Sequence, residues 1–227
     1  MRIVQSLTSA NGMGNMKLSK RLQAVANQVL QGARVADIGS DHAKLPIWLV
    51  ENAVSDFVVA GEVAKGPFEI AQEACQEISG IEVRLGDGLS VLQAEDGVDT
   101  VVIAGMGGVL ISEILERGPL DGLKRLILQA NNEEAELRKW LMEHDWMIAQ
   151  EEILEDKGKI YELMVYQRGE EVLSDKELTF GKNLAGPVFE KKWQKGLVEI
   201  EKIQSLHFQT ELEAEKKKIE EVLSERR

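Results

Sequence analysis

Three acids stand where apolar, β-branched runs stop: Asp37 after Val35-Ala36, Glu62 after Phe57–Gly61, and Asp87 after Ile81–Leu85. Such runs read as buried strands, and the small residues beyond them as tight turns into helices. Acids at the ends of neighbouring parallel strands face one crevice and accept hydrogen bonds from a ligand there. Asp37, with Gly39 and Ser40 behind it, suits a cationic amino end. Glu62, followed by Val63, suits the two hydroxyls of a ribose. Asp87, followed by Gly88, suits an adenine amino group. Singly, each has a plainer reading: an Asp satisfied by backbone amides, a solvated acid, a Gly-Asp-Gly turn. Three in succession predict a crevice for an adenosine-containing cofactor. The dinucleotide signature is excluded, because Asp41 and Lys44 replace the second and third glycines of G-x-G-x-x-G.

The elements that must position these acids alternate. Leu18, Leu22, Val25, Ala26 and Val29 recur at helical spacing ahead of the first strand. Strands are predicted over Arg34–Ile38, Phe57–Gly61, Ile81–Leu85, Thr100–Ala104 and Leu126–Gln129. Helices are predicted over Leu45–Glu51, Pro67–Ile78, Val109–Arg117 and Glu133–His144. That order specifies an α/β fold with a parallel, Rossmann-like sheet. Trp146–Leu154 and Ile160–Tyr166 then follow with only residues 155–159 between them, which permits an antiparallel hairpin and no crossover helix. A mostly parallel sheet closed by an antiparallel C-terminal hairpin resembles the class I methyltransferases that use S-adenosyl-L-methionine. In that frame Ala104, Gly105 and Met106, in a glycine-rich loop after the fourth strand, lie against the cofactor. Met106 packs either near the transferred methyl or as a core filler.

Residues 1–16 read as a flexible extension, with Met16 a second candidate start, and residues 17–174 as the cofactor-binding domain. Residues 175–227 read as a helical coiled-coil tail. Phe189, Trp193, Leu197, Ile200 and Ile203 mark one stripe; Leu212, Ile219, Val222 and Leu223 mark another, with a turn near residues 205–209. The net charge of -12 argues against nucleic acid at first sight, yet residues 1–174 carry all of the excess. Bases cluster at Lys17, Lys20 and Arg21, at Lys191, Lys192 and Lys195, at Lys216–Lys218, and at Arg226 and Arg227. Each cluster is either a solvated face or a grip on phosphates. Cys75 alone supports no disulfide framework and reads as a buried filler. His42, His144 and His207 have no metal-ligand spacing, so no metal is expected. No run approaches the roughly 18 apolar residues of a membrane span. A cytoplasmic protein is the default.

The motifs together are more specific. Asp37-Ile-Gly-Ser-Asp-His-Ala with Leu45-Pro46, Ala60-Gly-Glu-Val with Gly66-Pro67, Ile103-Ala-Gly-Met-Gly-Gly108 and Leu126-Ile-Leu-Gln-Ala-Asn-Asn132 resemble the bacterial tRNA (adenine(22)-N1)-methyltransferase family. Leu18-Ser-Lys-Arg-Leu22 and Pro187-Val-Phe-x-x-Lys-Trp193 extend the likeness over the chain from Lys17 onward. Lys44, where an aromatic is expected, and Ala130, where proline is common, depart from the pattern. The resemblance implies methyl transfer from S-adenosyl-L-methionine to N1 of an adenine in tRNA. The base must then be exposed or flipped. Asn131 and Asn132 are candidates to bond its edge, with Asn132 alternatively the N-cap of the next helix. Asp41 is the candidate proton acceptor, with capping or a cofactor contact as its competing roles. Tyr161 either stacks on the base or packs. His42 is a weaker candidate base. Lys17, Lys20, Arg21, Lys191, Lys192 and Lys195 would hold tRNA, as a monomer or as a dimer through the tail. A methyltransferase for another substrate and a non-catalytic binding module are the competing functions.

Overall fold

The computed structural model describes residues 16–206 and 209–226. The readings placed on residues 1–15, His207 and Arg227 lie outside the described residues. The strands are β1 (Val35–Ile38), β2 (Val58–Glu62), β3 (Ile81–Leu85), β4 (Thr100–Met106), β5 (Arg125–Ala130), β6 (Trp146–Asp156) and β7 (Lys159–Arg168). The helices are α1 (Lys20–Asn27), α2 (Lys44–Glu51), α3 (Lys65–Cys75), α4 (Gly108–Arg117), α5 (Glu134–Glu143), α6 (Asp175–Phe180), α7 (Pro187–Gln204) and α8 (Thr210–Glu225).

The seven strands form one sheet in the order β3-β2-β1-β4-β5-β7-β6. β3 through β5 are parallel, and β7 and β6 are antiparallel, as the short link between them requires. Period-two alternation divides the strand side chains between two cores. Val101, Ile103, Leu126 and Leu128 pack on one face with Ile111 and Leu115 of α4 and Leu137 and Leu141 of α5. Val102, Ile127, Leu163 and Val165 pack on the other with Val25 of α1 and Leu45 and Leu49 of α2. Ser19 caps α1 by accepting the Leu22 N–H at 3.2 Å.

One expectation is corrected. Met16 is not part of a loose extension; it packs against the cluster of Ala43, Ile47 and Ala71. The tail, expected as a helical coiled-coil hairpin, packs its helices against the rest of the chain. α7 and α8 lie antiparallel, with Lys216 on Glu201 and Arg226 over Phe189, and they share a core with α6 and the sheet. Phe180, Leu184, Phe189, Ile200, Ile219 and Val222 form that core, and Ile153 of β6 packs against it. Most of the stripe residues therefore bury against α6 and one another, with Ile153 tying them to the sheet. α6 opens the helical tail at Ser174, where Ser174 and Glu177 form a reciprocal capping box whose S-x-x-E spacing is visible in the sequence.

Candidate active site

The strand order reverses between β1 and β4, and the crevice opens there at the strands' carboxyl ends. A cleft of about 670 Å³ is lined by Asp37, Gly39, Ser40 and Asp41 after β1 and by Ala104, Gly105 and Met106 of β4. Lys17 and Arg21 close it from the α1 side, and Lys157 from the tip of the β6–β7 hairpin. Gly39 has φ +74°, which favours glycine, and a Cβ there would displace only the end of the flexible Met106 side chain, whose Cε stands 2.3 Å away. Asp37 is buried; burial, with the Glu62 carboxylate nearby, pushes its carboxyl up to about 7. The neighbouring buried Ser40 hydroxyl faces that carboxyl and partly offsets the rise, and no other group bonds it.

Asp41, His42 and Ala43 all have positive φ, at 38°, 66° and 52°, a left-handed turn costly for residues with a Cβ. Glu62 secures it, accepting the Asp41 N–H on Oε1 at 2.7 Å. This leaves the second carboxylate oxygen of a buried Glu62 for a ligand. The Asp41 side chain is exposed, 3.4 Å from the His42 ring. Val63 and Asp87 lie farther along the same edge of the sheet, exposed and outside the cleft lining; Asp87 meets Arg117 at 3.3 Å. Gly88 is buried against Ile114, where a Cβ would stand 2.9 Å away, so packing accounts for this glycine.

A second cleft, of about 600 Å³, adjoins the first. Asn131, Glu134, Tyr161, Lys159, Lys192 and Lys195 line it, and Arg21 and Gly105 line both clefts. The structure therefore brings Asn131 and Tyr161 to one pocket, with Asp41 in the adjacent cleft. Asn132 is not in either lining: its side chain sits over Gly107. Nor does it cap α5, because Glu133 occupies the N-cap position with φ 58°.

The basic residues also sort differently from their sequence clusters. Arg21 turns inward, donating to the Gln129 Oε1 at 2.8 Å with its guanidinium over the Tyr161 ring. Lys191 is paired with Glu155 at 2.6 Å. Lys192 is held between Glu134 at 2.9 Å and Glu162 at 2.7 Å. Lys216 pairs with Glu201, and Arg226 donates to the carbonyls of Phe180, Gly181 and Leu184 at the end of α6. Lys17, Lys20, Lys44, Lys157, Lys159 and Lys195 are exposed and have no ion-pair partner among the described residues. Among the described residues no cluster of three or more His, Cys, Asp or Glu is arranged to hold a metal, and no helix is long and apolar enough to cross a membrane.

Sequence reasoning missed two residues. Gln129 is fully buried in β5 and bonded on all sides. Arg138 of α5 is also fully buried, donating to Glu151 at 3.0 Å, Glu162 at 2.5 Å and the Leu178 carbonyl at 3.1 Å. Burial alone raises the Glu162 carboxyl, but Arg138 and Lys192 outweigh it and hold Glu162 below the usual carboxylate range. A polar residue inside the Leu126–Ala130 run was the available sign for Gln129; Arg138 reads as an ordinary solvated helix charge.

A family model described as tRNA (adenine(22)-N(1))-methyltransferase matches residues 35–227. The tRNA (adenine(22)-N(1))-methyltransferase of Bacillus subtilis (strain 168) is 40% identical over 92% of this chain and 94% of its own. Among solved structures, Streptococcus pneumoniae Sp1610, crystallised in complex with S-adenosyl-L-methionine, is 43% identical with TM-score 0.87, covering 91% of this chain and all of its own (100%). M. capricolum TrmK, solved with S-adenosyl-homocysteine, is 25% identical with TM-score 0.85, covering 92% and 99%.

Proposed function

The chain belongs to the tRNA (adenine(22)-N(1))-methyltransferase family, and from that premise we propose how its two clefts divide the reaction. The enzyme transfers a methyl group from S-adenosyl-L-methionine to N1 of adenine 22 in tRNA. The residues of the first cleft fit the cofactor. Its buried Asp37 carboxyl and Ser40 hydroxyl await a polar ligand, and Gly39 and Gly105 keep its walls free of side chains. S-adenosyl-L-methionine supplies a methyl already activated on a sulfonium, so the protein needs only to bind, align and exclude water.

In this reading Asp37 and Ser40 hold the cationic amino end, Glu62 and Val63 the ribose, and Asp87 with Gly88 the adenine. Ala104, Gly105 and Met106 support the reacting end. The second cleft receives the target base, flipped out because pairing hides N1. Tyr161 offers it a stacking face and Asn131 a polar edge. The N1 lone pair forms the new bond to carbon, so no base has to act before attack. Asp41 stands ready at the mouth to take a proton from the exocyclic amino group. Lys17, Lys20, Lys44, Lys157, Lys159 and Lys195 hold backbone phosphates around both mouths. Residues 17–174 carry the chemistry, the docked tail widens the tRNA-facing surface, and the enzyme works in the cytoplasm.

One observation carries this assignment: Arg21 and Gly105 line both clefts, so cofactor and base meet across one wall. The test is to incubate the enzyme with tRNA and labelled cofactor and to map the modified nucleotide by mass spectrometry. A single 1-methyladenine at position 22 is expected. Label at another nucleotide, or none on tRNA while the cofactor binds, overturns the assignment.

A further inference from the structure

The wall between the two clefts holds a chain of hydrogen bonds whose direction is fixed at both ends. Arg21 has only donors, so the Gln129 atom it meets at 2.8 Å is the oxygen, Oε1. The Gln129 Nε2 must then face the other way, where it donates to the Ala130 carbonyl at 2.7 Å and to the Asn131 Oδ1 at 3.2 Å. Asn131 in turn directs its Nδ2 to the Gly105 carbonyl, an acceptor only, at 2.7 Å. A flip of the Gln129 amide would set donor against donor at Arg21 and acceptor against acceptor at Ala130, and a flip of the exposed Asn131 amide would oppose the Gln129 Nε2 and the Gly105 carbonyl in the same way. Gln129 is fully buried, so water cannot repair such a mismatch.

We propose that Arg21 and Gln129 form a polarity relay that orients the Asn131 amide and thereby sets the enzyme's selectivity for adenine. The proposal rests on the second cleft being the base pocket. An adenine edge presents a donor, the 6-amino group, beside the acceptor N1, whose lone pair must stay free to receive the methyl. Oriented by the relay, Asn131 presents an oxygen with one lone pair free for the 6-amino group. With its amide reversed, Asn131 would offer a second N–H to N1 and block the nucleophile. Against a 6-oxo purine the oriented Oδ1 meets another acceptor, which disfavours that base. Asn131 touches the base; Gln129 and Arg21 are positioning residues that act through it.

The test compares tRNA carrying adenine at the target with tRNA carrying unsubstituted purine, which keeps N1 and lacks the 6-amino group. Single-turnover rates are measured for wild type, Gln129→Glu and Arg21→Met. Gln129→Glu keeps an acceptor for Arg21 but loses the donor to Asn131; Arg21→Met removes the group that fixes the relay. The preference of wild type for adenine over purine should shrink roughly tenfold in both variants, the scale of one oriented hydrogen bond. The intrinsic difference in N1 reactivity cancels in this comparison. Thermal unfolding, which does not depend on Arg21 lining the cofactor cleft, checks that each variant is folded; if Gln129→Glu is unfolded, Arg21→Met alone decides. An undiminished preference in a folded variant overturns the relay, even if its overall rate falls. Wild type that methylates neither tRNA overturns the base-pocket assignment instead.

Discussion

The two clefts share a wall but treat their polar groups in opposite ways. In the first, Asp37 and Ser40 are buried with only each other for a partner, and Asp41–Ala43 are held in a costly left-handed turn. Around the second, the charged and amide groups are paired, exposed Asn131 with buried Gln129 in the wall and Arg138, Glu151, Glu162 and Lys192 behind it, while the buried Tyr166 hydroxyl and Trp193 indole N–H have no partner. The first cleft leaves strong groups with few protein partners, and their natural complement is a ligand. The second presents a few exposed groups from a scaffold whose buried charges are paired with one another. On the proposed reading, the contrast separates holding a small cofactor from orienting a base that arrives attached to a large RNA.

The largest expected effect breaks the paired side. Arg138→Leu takes the guanidinium from two buried carboxylates, leaving Glu162 with Lys192 alone and Glu151 with only the Lys182 and Asn183 backbone N–H groups. Removing one partner of a buried ion pair costs about 3–5 kcal/mol, which for a chain of this size lowers the thermal midpoint by about 10 °C. The further replacement of Glu162 by leucine should recover part of that loss in thermal unfolding. An Arg138→Leu protein with an unchanged midpoint would show the network to be unimportant. The same network cautions against deleting residues 175–227, which would remove Lys192 and the Leu178 carbonyl from buried partners.

The open side should respond with the opposite sign. Because the folded state raises Asp37 to about 7 from 3.8, it binds that proton more tightly than the unfolded chain does. Asp37 therefore burdens the fold progressively as pH rises between those values, by as much as about 4 kcal/mol once it is ionised. Asp37→Asn should raise the thermal midpoint at pH 8 and change it little at pH 4. It should also abolish most cofactor binding, since the amide cannot neutralise a cationic amino end. In the wild type, calorimetric affinity for the cofactor should rise with pH up to about 7 and then level off; in Asp37→Asn that rise should vanish. A variant that is no more stable and still binds would place Asp37 with the satisfied groups.

Much of this contrast was legible in the sequence, for a physical reason. A strand-end acid followed by glycine must sit at the carboxyl edge of a parallel sheet, so Asp37, Gly39 and Glu62 could be located from local pattern alone. The hairpin followed from a five-residue link, and the helix periods from their apolar positions. What stayed hidden depends on partners distant in the chain. Arg138 is buried only because β6, β7 and α6 supply its acceptors, and Lys192 is occupied because Glu134 and Glu162 flank it. Gln129 matters through Arg21, 108 positions away. Charge clusters counted along the chain cannot distinguish such occupied cations from free ones.

That last distinction supports the smallest and most selective prediction. Lys191 and Lys195 lie on one turn of α7 and belong to one sequence cluster, yet Lys191 is paired with Glu155 while Lys195 lines the base pocket without an ion-pair partner among the described residues. A free lysine on a phosphate releases a counterion when tRNA binds, so losing it flattens the dependence of log affinity on log salt. Lys195→Ala and Lys159→Ala should each lower that slope by about one and weaken binding to all tRNAs alike. Lys191→Ala should leave the slope unchanged, because its charge is already neutralised and its loss frees an exposed carboxylate instead. Filter binding of tRNA across a salt series reads the slope directly. Equal slopes for Lys191→Ala and Lys195→Ala would mean that the RNA takes Lys191 away from Glu155, and the division between occupied and available cations would fail on α7.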